Sequence, residues 1–353
     1  MSLRLLFALI LLLFSTVDLR ADTSVFIYHR FGESRYPSTN IEVEVFARQL
    51  DYLSEHHYKV LPLSEIARRV RAGETLPAKT VGLSVDDAFS SFLAQAFPLL
   101  KQHGFPVTLF VNTDSVGASG YLDWDELRQL VSAGVEIGNH TASHPYLVEM
   151  RAGETPQQWR QRLHEDLARG KNALKKQLGV EPRIFAYTYG EYSGPVIDLV
   201  REAGFKSAFA QQSGVIWSGA DNWALPRFPM GGPYATLEGF VDKLKMKALR
   251  LEAGPTVDPV IRATDPPVLR LKLKDQSLAA GHFNCFAQAG NQCTVERVED
   301  APGEIRIVAA APLHGRRNKY TLTIRDRGNW YWCSQLWINA ERPVPAAISS
   351  GAD

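Results

Sequence analysis

Two separated segments carry residues able to support metal-assisted hydrolysis. Asp86 and Asp87 stand together after the apolar run Val81-Gly82-Leu83-Ser84-Val85. His140 and His144 bracket Thr141-Ala142-Ser143, just after Val135-Glu136-Ile137-Gly138. Two histidines four apart can face one way on a helical turn or a tight loop. One carboxylate and two imidazoles leave coordination positions open for water and substrate. That is the ligand count of a catalytic metal site, not of a closed structural one. The remaining carboxylate is then available as a base. This donor set suits zinc, cobalt and nickel alike. Alone, the aspartate pair also reads as a helix N-cap. The two histidines tip it toward chemistry.

Such residues need strands that end together. Candidate strands are 24–28, 80–85, 107–111, 135–138, 184–187 and 207–210. Between them, helical spacing of apolar residues runs over 45–56, 89–103, 123–133, 159–178 and 195–203. Gly104, Gly134, Gly179 and Gly204 follow four of these runs as helix stops. Strand, helix and glycine in repeated order predict an α/β fold with a parallel sheet, open or closed. Parallel α/β folds place their sites at the strand ends. His29, Asp86, His140 and Tyr189 each follow such an end, which makes their convergence on one face the strongest single signal.

A helix over 237–252 is expected to close this first domain, 22–253. Proline density marks a linker, 254–267. Beyond it Leu269-Arg270-Leu271-Lys272-Leu273 and Tyr320-Thr321-Leu322-Thr323-Ile324 alternate with period two, predicting a small β-sandwich over 268–345. In Trp330-Tyr331-Trp332-Cys333, alternation puts the two tryptophans on one face. Core or interdomain packing is the favoured reading there, glycan binding the other.

The chain has 353 residues, 45% of them hydrophobic, enough for one large domain or two unequal ones. A formal charge of +1 gives no electrostatic footprint for nucleic acid. Residues 1–21 read as a secretory signal peptide: Arg4 supplies the basic start, 5–17 the apolar run, and Ala21 a small cleavage residue. That run falls short of the roughly 20 residues needed to span a bilayer. A secreted, periplasmic protein starting near Asp22 is expected, with an uncleaved membrane anchor as the alternative. Three cysteines, Cys285, Cys293 and Cys333, predict one disulfide and one thiol, the pairing left open.

These motifs resemble the polysaccharide deacetylase family, the NodB-homology or carbohydrate esterase family 4 domain. Ser84-Val85-Asp86-Asp87-Ala88 is similar to the family's Thr-Phe-Asp-Asp-Gly. His140-Thr141-Ala142-Ser143-His144 matches its His-Ser/Thr-x-x-His in full. Ala186-Tyr187-Thr188-Tyr189-Gly190 stands where it has Arg-x-Pro-x-Gly. The resemblance covers about residues 24 to 250. It implies a distorted (β/α) barrel and a divalent metal, most often zinc. Carried over by position, Asp86 is the general base, and Asp87, His140 and His144 bind the metal. The Tyr189 backbone N–H helps hold the oxyanion.

Three departures matter. Ala88 replaces a glycine at a turn that calls for positive φ. Ala186 replaces the arginine that would orient the base; Arg227, in Pro226-Arg227-Phe228, is the expected substitute. The family's Leu-x-His acid motif is missing between 241 and 252. A subgroup similar to the biofilm poly-N-acetylglucosamine deacetylases instead places a histidine on the first strand. Tyr28-His29-Arg30 fits it, so the resemblance assigns His29 as the general acid, with His282 as rival. His56, His57, His103 and His164 read as solvated or packing residues. Tyr187, Tyr192 and Trp223 are candidates to line a sugar groove with Tyr189, or else core.

The resemblance thus implies hydrolysis of N-acetyl groups on an N-acetylhexosamine polysaccharide. Metal-activated water would be the nucleophile, with Asp86 as base and His29 as acid. O-acetyl or peptidoglycan deacetylation by the same site, and glycan binding without catalysis, are the alternatives. Cell-envelope polysaccharide machinery is the implied partner; the oligomeric state is not read.

Overall fold

The computed structural model describes residues 22–252, 257–261, 266–287 and 292–342. The segment read as a signal peptide lies outside the described residues. The central sheet runs in the order Val215–Ile216, Thr23–Tyr28, Thr80–Asp86, Thr108–Val111, Glu136–Asn139, Ile184–Ala186, Ser207–Phe209. Only the first pair in that order is antiparallel. Thr23–Tyr28 and Thr80–Asp86 are buried at every position, as strands covered on both faces must be.

The sheet curls until its edges meet through residues 225–230. The Ala210 N–H donates to the Leu225 carbonyl at 2.8 Å, and the Leu225 N–H to Ala208 at 3.0 Å. On the other side Phe228–Pro229 pairs in parallel with Phe26–Ile27. An irregular stitch therefore joins the last strand to the first, giving the distorted (β/α) barrel that the resemblance implied.

Capping follows the sequence closely. Asp123 with Glu126, and Thr155 with Gln158, form reciprocal capping boxes. Gly104 and Gly179 end their helices in the left-handed conformation, φ 66° and 67°. The helix expected over 89–103 differs. A π turn spans Phe92–Ala96, and the α-helix starts only at Phe97. Pro98 has no N–H to give to residue 94, and its ring would crowd that carbonyl, so the chain widens just before it. A helix at Leu63–Arg71 was not anticipated. It lies so close to the sheet that a Cβ at Gly82 would meet Ile66 and Leu63 at 2.9 Å.

The helix expected to reach residue 252 stops at Lys245. Met246 is extended, and Lys247–Ala248 pairs in parallel with Tyr331–Trp332. Pairing with that strand displaces the helical continuation. The span read as a linker likewise contributes a strand, Val260–Ile261, paired with Ile338–Asn339.

The C-terminal residues form two sheets. One holds Phe283–Ala287, Arg317–Asp326 and Asn329–Asn339, extended by Lys247–Ala248 and Val260–Ile261; the other holds Leu269–Lys272, Glu304–Ala309 and Cys293–Arg297. Leu269, Leu271, Ile305, Ile307, Tyr320, Leu322 and Trp337 fill the core between them. Tyr331 and Cys333 pack on that core. Trp332 faces the barrel, its ring edge-on to Phe228 at 5.4 Å. Trp332 thus makes the interdomain packing favoured from the sequence, whereas Trp330 is exposed.

Cys285 and Cys293 form the disulfide, and Cys333 is free. The bond closes a loop of eight residues in sequence separation. Chain entropy gives such a loop about 2–3 kcal/mol. Cys285→Ser with Cys293→Ser should lower urea stability by that amount and leave cation binding unchanged. An unchanged midpoint would show that the bond does not restrict the unfolded chain by this amount.

Candidate active site

Asp86 is the last residue of its strand, and the chain then turns sharply. Asp87 has φ 75° and Ala88 φ 59°. The alanine thus adopts the left-handed conformation that the glycine it replaces would favour, buried against the core. Thr141, His144 and Tyr189 share this conformation, at φ 69°, 53° and 55°. Five of the eight non-glycine residues with positive φ among the described residues are therefore in these three loops. Such strain costs on the order of 1–3 kcal/mol per residue and persists only where the surroundings over-determine it.

The surroundings of the histidine loop are visible. Asp166, buried on the 156–178 helix, accepts the Ala142 and Ser143 N–H groups at 3.0 and 3.2 Å. Asn139 Oδ1 accepts the Thr141 N–H, and Thr141 Oγ1 accepts the His144 N–H, each at 2.9 Å. Gly170 lets the helix come this near, since a Cβ there would meet the Thr141 backbone at 2.9 Å. Asp166, Asn139 and Gly170 were missed in the sequence reading. The signal was present for one of them. Asp166 lies among Trp159, Leu163, Leu167 and Leu174 on the buried helix face, where a lone carboxylate needs a partner.

The loops bring Asp87, His140 and His144 together, one ligand atom from each within 4.8 Å of the others. His144 Nε2 is 3.2 Å from Asp87 Oδ1 and 3.2 Å from His140 Nε2. His140 Nδ1 donates to the Ala186 carbonyl at 2.8 Å. When the ring is neutral, that bond keeps its proton on Nδ1 and leaves the Nε2 lone pair turned inward. Asp87 Oδ1 is buried and makes no hydrogen bond. Three lone pairs converging on one point, one on an orphaned buried oxygen, fit a divalent cation. Burial works against ionised Asp87, yet His144, His140 and His29 hold its carboxyl well below the usual carboxylate range.

Asp86 is held differently. Its two oxygens accept Arg227 Nη1 and Nη2 at 2.7 and 2.9 Å, a bidentate fork with both side chains almost fully buried. Arg227 also donates to Ser84 Oγ at 3.2 Å and to the Ala210 carbonyl at 3.0 Å. It arrives on the stitch that closes the barrel, which is why a residue so distant in sequence meets Asp86. Burial opposes ionised Asp86 as well, but Arg227 and His140 hold its carboxyl below its ordinary value. His140 Nε2 is 3.9 Å from Asp86 Oδ2, so base candidate and cation site are adjacent.

His29 leaves its strand one step beyond the Tyr28–Val85 pair, level with Asp86 on the next strand. Burial pushes its imidazole below the ordinary value, while Asp87 and Asp86 pull it upward. His282 is exposed on the β region. His56, His57 and His164 are exposed, and His103 stacks on Phe105.

Tyr189 lies at the site, its ring edge-on to His144 at 4.5 Å and stacked on Tyr146 at 3.8 Å. Tyr187 and Tyr192 do not line a groove. They are 1% and 2% exposed and stack on each other beneath the loop. Their hydroxyls are satisfied inside, by the Trp223 carbonyl at 2.8 Å and by Gln212 Oε1 at 3.0 Å, so both rings can be core. Trp223 packs half-buried beside them under the Arg201 guanidinium, at 4.8 Å. The aromatic neighbour overlooked in the sequence is Tyr146, two positions after His144, which stacks on Tyr189.

Residues 73–208 match the polysaccharide deacetylase family. A poly-beta-1,6-N-acetyl-D-glucosamine N-deacetylase of Escherichia coli K12 is 22% identical over 303 residues, covering 73% of this chain. The chain spans only 45% of the length of that relative. A Staphylococcus aureus enzyme of the same name is 23% identical, covering 57% of this chain and 71% of its own. Among solved structures, IcaB from Ammonifex degensii aligns with a TM-score of 0.55 at 27% identity, over 64% of this chain and 97% of its own. A de-N-acetylase from Aggregatibacter actinomycetemcomitans shares the fold, with a TM-score of 0.54 at 22% identity, over 62% of this chain and 99% of its own. Matched family model, shared fold and converged motif residues point one way: residues 73–208 of this chain match a polysaccharide deacetylase domain.

Proposed function

We propose that the protein is a secreted, metal-dependent N-deacetylase acting on an N-acetylhexosamine polysaccharide, of the poly-N-acetylglucosamine class for which its relatives are named. The observation that carries this reading is the unpartnered Asp87 Oδ1 facing two imidazole nitrogens, beside an Asp86 locked by Arg227. When bound at Asp87, His140 and His144, a divalent cation, zinc by first choice and cobalt or nickel otherwise, supplies Lewis acidity that acidifies water and polarises the acetamide carbonyl.

Asp86 takes the proton from the attacking water as the new C–O bond forms. Arg227 keeps the carboxylate ionised and fixes its direction, so the lone pair is aimed before substrate arrives. The Tyr189 N–H donates to the developing oxyanion; a donor of this kind is worth about 3 kcal/mol. His29 gives a proton to the nitrogen as the C–N bond breaks, releasing acetate and leaving the sugar amine. Tyr189 and Tyr146 offer a stacked aromatic edge for a sugar face. The apolar run before Ala21 supports export from the cytoplasm, and the disulfide suits an oxidising compartment.

Acetate release from N-acetylglucosamine oligomers tests the reading, and a pH profile tests the acid. A proton donor works while protonated, so rate is full below the His29 pKa and falls as pH rises through it. Burial depresses that value, so the alkaline fall comes at lower pH than an ordinary imidazole gives. His29→Gln should abolish this limb and lower kcat by roughly 10²–10⁴-fold. An unchanged limb in the variant would assign the acid to another group.

A further inference from the structure

The loop that carries Tyr189 is held from outside the barrel. Two successive residues, Tyr189 and Gly190, have φ 55° and 71°. Gly190 cannot be replaced freely, since a Cβ would meet Gln211 Cβ at 2.5 Å. Local hydrogen bonds close the turn, from the Gly190 N–H to the Tyr187 carbonyl at 2.9 Å and from Glu191 to Thr188 at 3.0 Å. They do not by themselves oblige a tyrosine to take the left-handed conformation.

Two adjacent arginines of the C-terminal β region complete the restraint. Arg316 Nε and Nη2 donate to the two oxygens of Glu191 at 2.8 and 2.9 Å. Both side chains are buried, at 3% and 0% exposure. The third Arg316 nitrogen donates to the Arg342 carbonyl at 3.1 Å, and its guanidinium lies over the Tyr146 ring at 4.8 Å. Arg317 Nη1 donates to the Tyr189 carbonyl at 2.9 Å, with its guanidinium 5.7 Å from the Tyr189 ring. The two arginines therefore reach both tyrosines of the stacked pair, the carbonyl of the strained residue and the acid two positions on.

A docking contact alone would need neither a buried bidentate charge pair nor a bond to the one carbonyl whose orientation sets ψ of Tyr189. Burying an ion pair costs several kcal/mol per ion before its attraction is counted, so such a pair contributes placement more than stability. We infer that the C-terminal β region is a working part of the deacetylase site, with Arg316 and Arg317 as positioning residues that set the 186–191 loop and the Tyr189 N–H. This inference rests on the oxyanion role proposed for that N–H. It gives the appended sheets a purpose independent of any glycan binding of their own.

Arg317 is the residue to change, because it is only half-buried, whereas breaking the Arg316–Glu191 pair risks the fold. The full chain is assayed as Arg317→Ala and Arg317→Lys, with kinetics, cation affinity, Tm and amide hydrogen exchange over residues 186–191. For Arg317→Ala, kcat should fall roughly 10- to 100-fold, the scale of a small misplacement at a reacting centre. KM, cation affinity and Tm should stay near wild type, and exchange should quicken in that segment alone. Arg317→Lys should recover part of the rate, since an ammonium can still reach the carbonyl. Unchanged kcat with unchanged exchange, or a rate loss that only follows a fall in Tm, overturns the inference. If the wild type releases no acetate, the deacetylase reading fails separately. Exchange alone then decides: local quickening supports the positioning role, and none removes it.

Discussion

Asp87→Ala is expected to lose stoichiometric cation binding and acetate release together while remaining folded. The substitution removes the single carboxylate of the three-ligand set and leaves His140 and His144 facing each other with nothing anionic between them. Two imidazoles without a carboxylate bind a divalent cation far less tightly, and the two nitrogens 3.2 Å apart can then share a proton in place of a cation. Lewis acidity supplies several kcal/mol at the transition state, so kcat/KM should fall roughly 10³-fold or more. Thermal stability without cation should change little. Asp87 Oδ1 makes no hydrogen bond that the fold would lose, although its removal leaves an alanine at φ 75°. Calorimetric cation titration beside acetate assay checks this. Full cation occupancy in the variant would move the site elsewhere; full activity would end metal dependence through Asp87.

Arg227→Met should be the most destabilising single change. It leaves Asp86 as an unpaired buried charge and also drops the donors to Ser84 and the Ala210 carbonyl. Breaking one side of a buried ion pair costs about 3–5 kcal/mol. Because Arg227 lies on the stitch joining the barrel edges, the loss should loosen barrel closure too. The informative control is Asp86→Asn combined with Arg227→Met, which removes the stranded charge. Urea denaturation should show the double variant recovering much of the lost stability while remaining inactive, since the base is gone. A single Arg227→Met variant as stable as wild type would mean that Asp86 is protonated or hydrated in the fold, not paired.

How far the sequence reached can be read from particular residues. The barrel strands were legible because apolar runs bounded by glycine-stopped helices have one common solution, a parallel sheet. Asp87, His140 and His144 were legible because each follows such a run, and strand ends converge. Arg227 could be matched to Asp86 only through the resemblance. No spacing rule relates residues 141 apart, and the stitch that joins them is not a regular strand. Tyr187 and Tyr192 misled because period and chemistry do not tell a groove tyrosine from a core one. That depends on whether the hydroxyl finds a partner inside, and here both do. The helix ending at Lys245 was overextended because propensity cannot foresee that a strand from residues 329–339 takes up Lys247 and Ala248. Asp166, Glu191 and the Arg316–Arg317 pair were missed for a related reason. Their roles are to hold other residues in place, and such roles exist only in three dimensions.

The most direct measurement is acetate and amine release from N-acetylglucosamine oligomers by the same preparation in three states: cation-loaded, chelator-stripped and reloaded. Equal amounts of acetate and new amine from the loaded protein, lost on stripping and restored on reloading, are the predicted result. Release that survives complete stripping, or none from fully loaded protein on any N-acetylated oligomer tried, would contradict a metal-dependent N-deacetylase built on Asp87, His140 and His144.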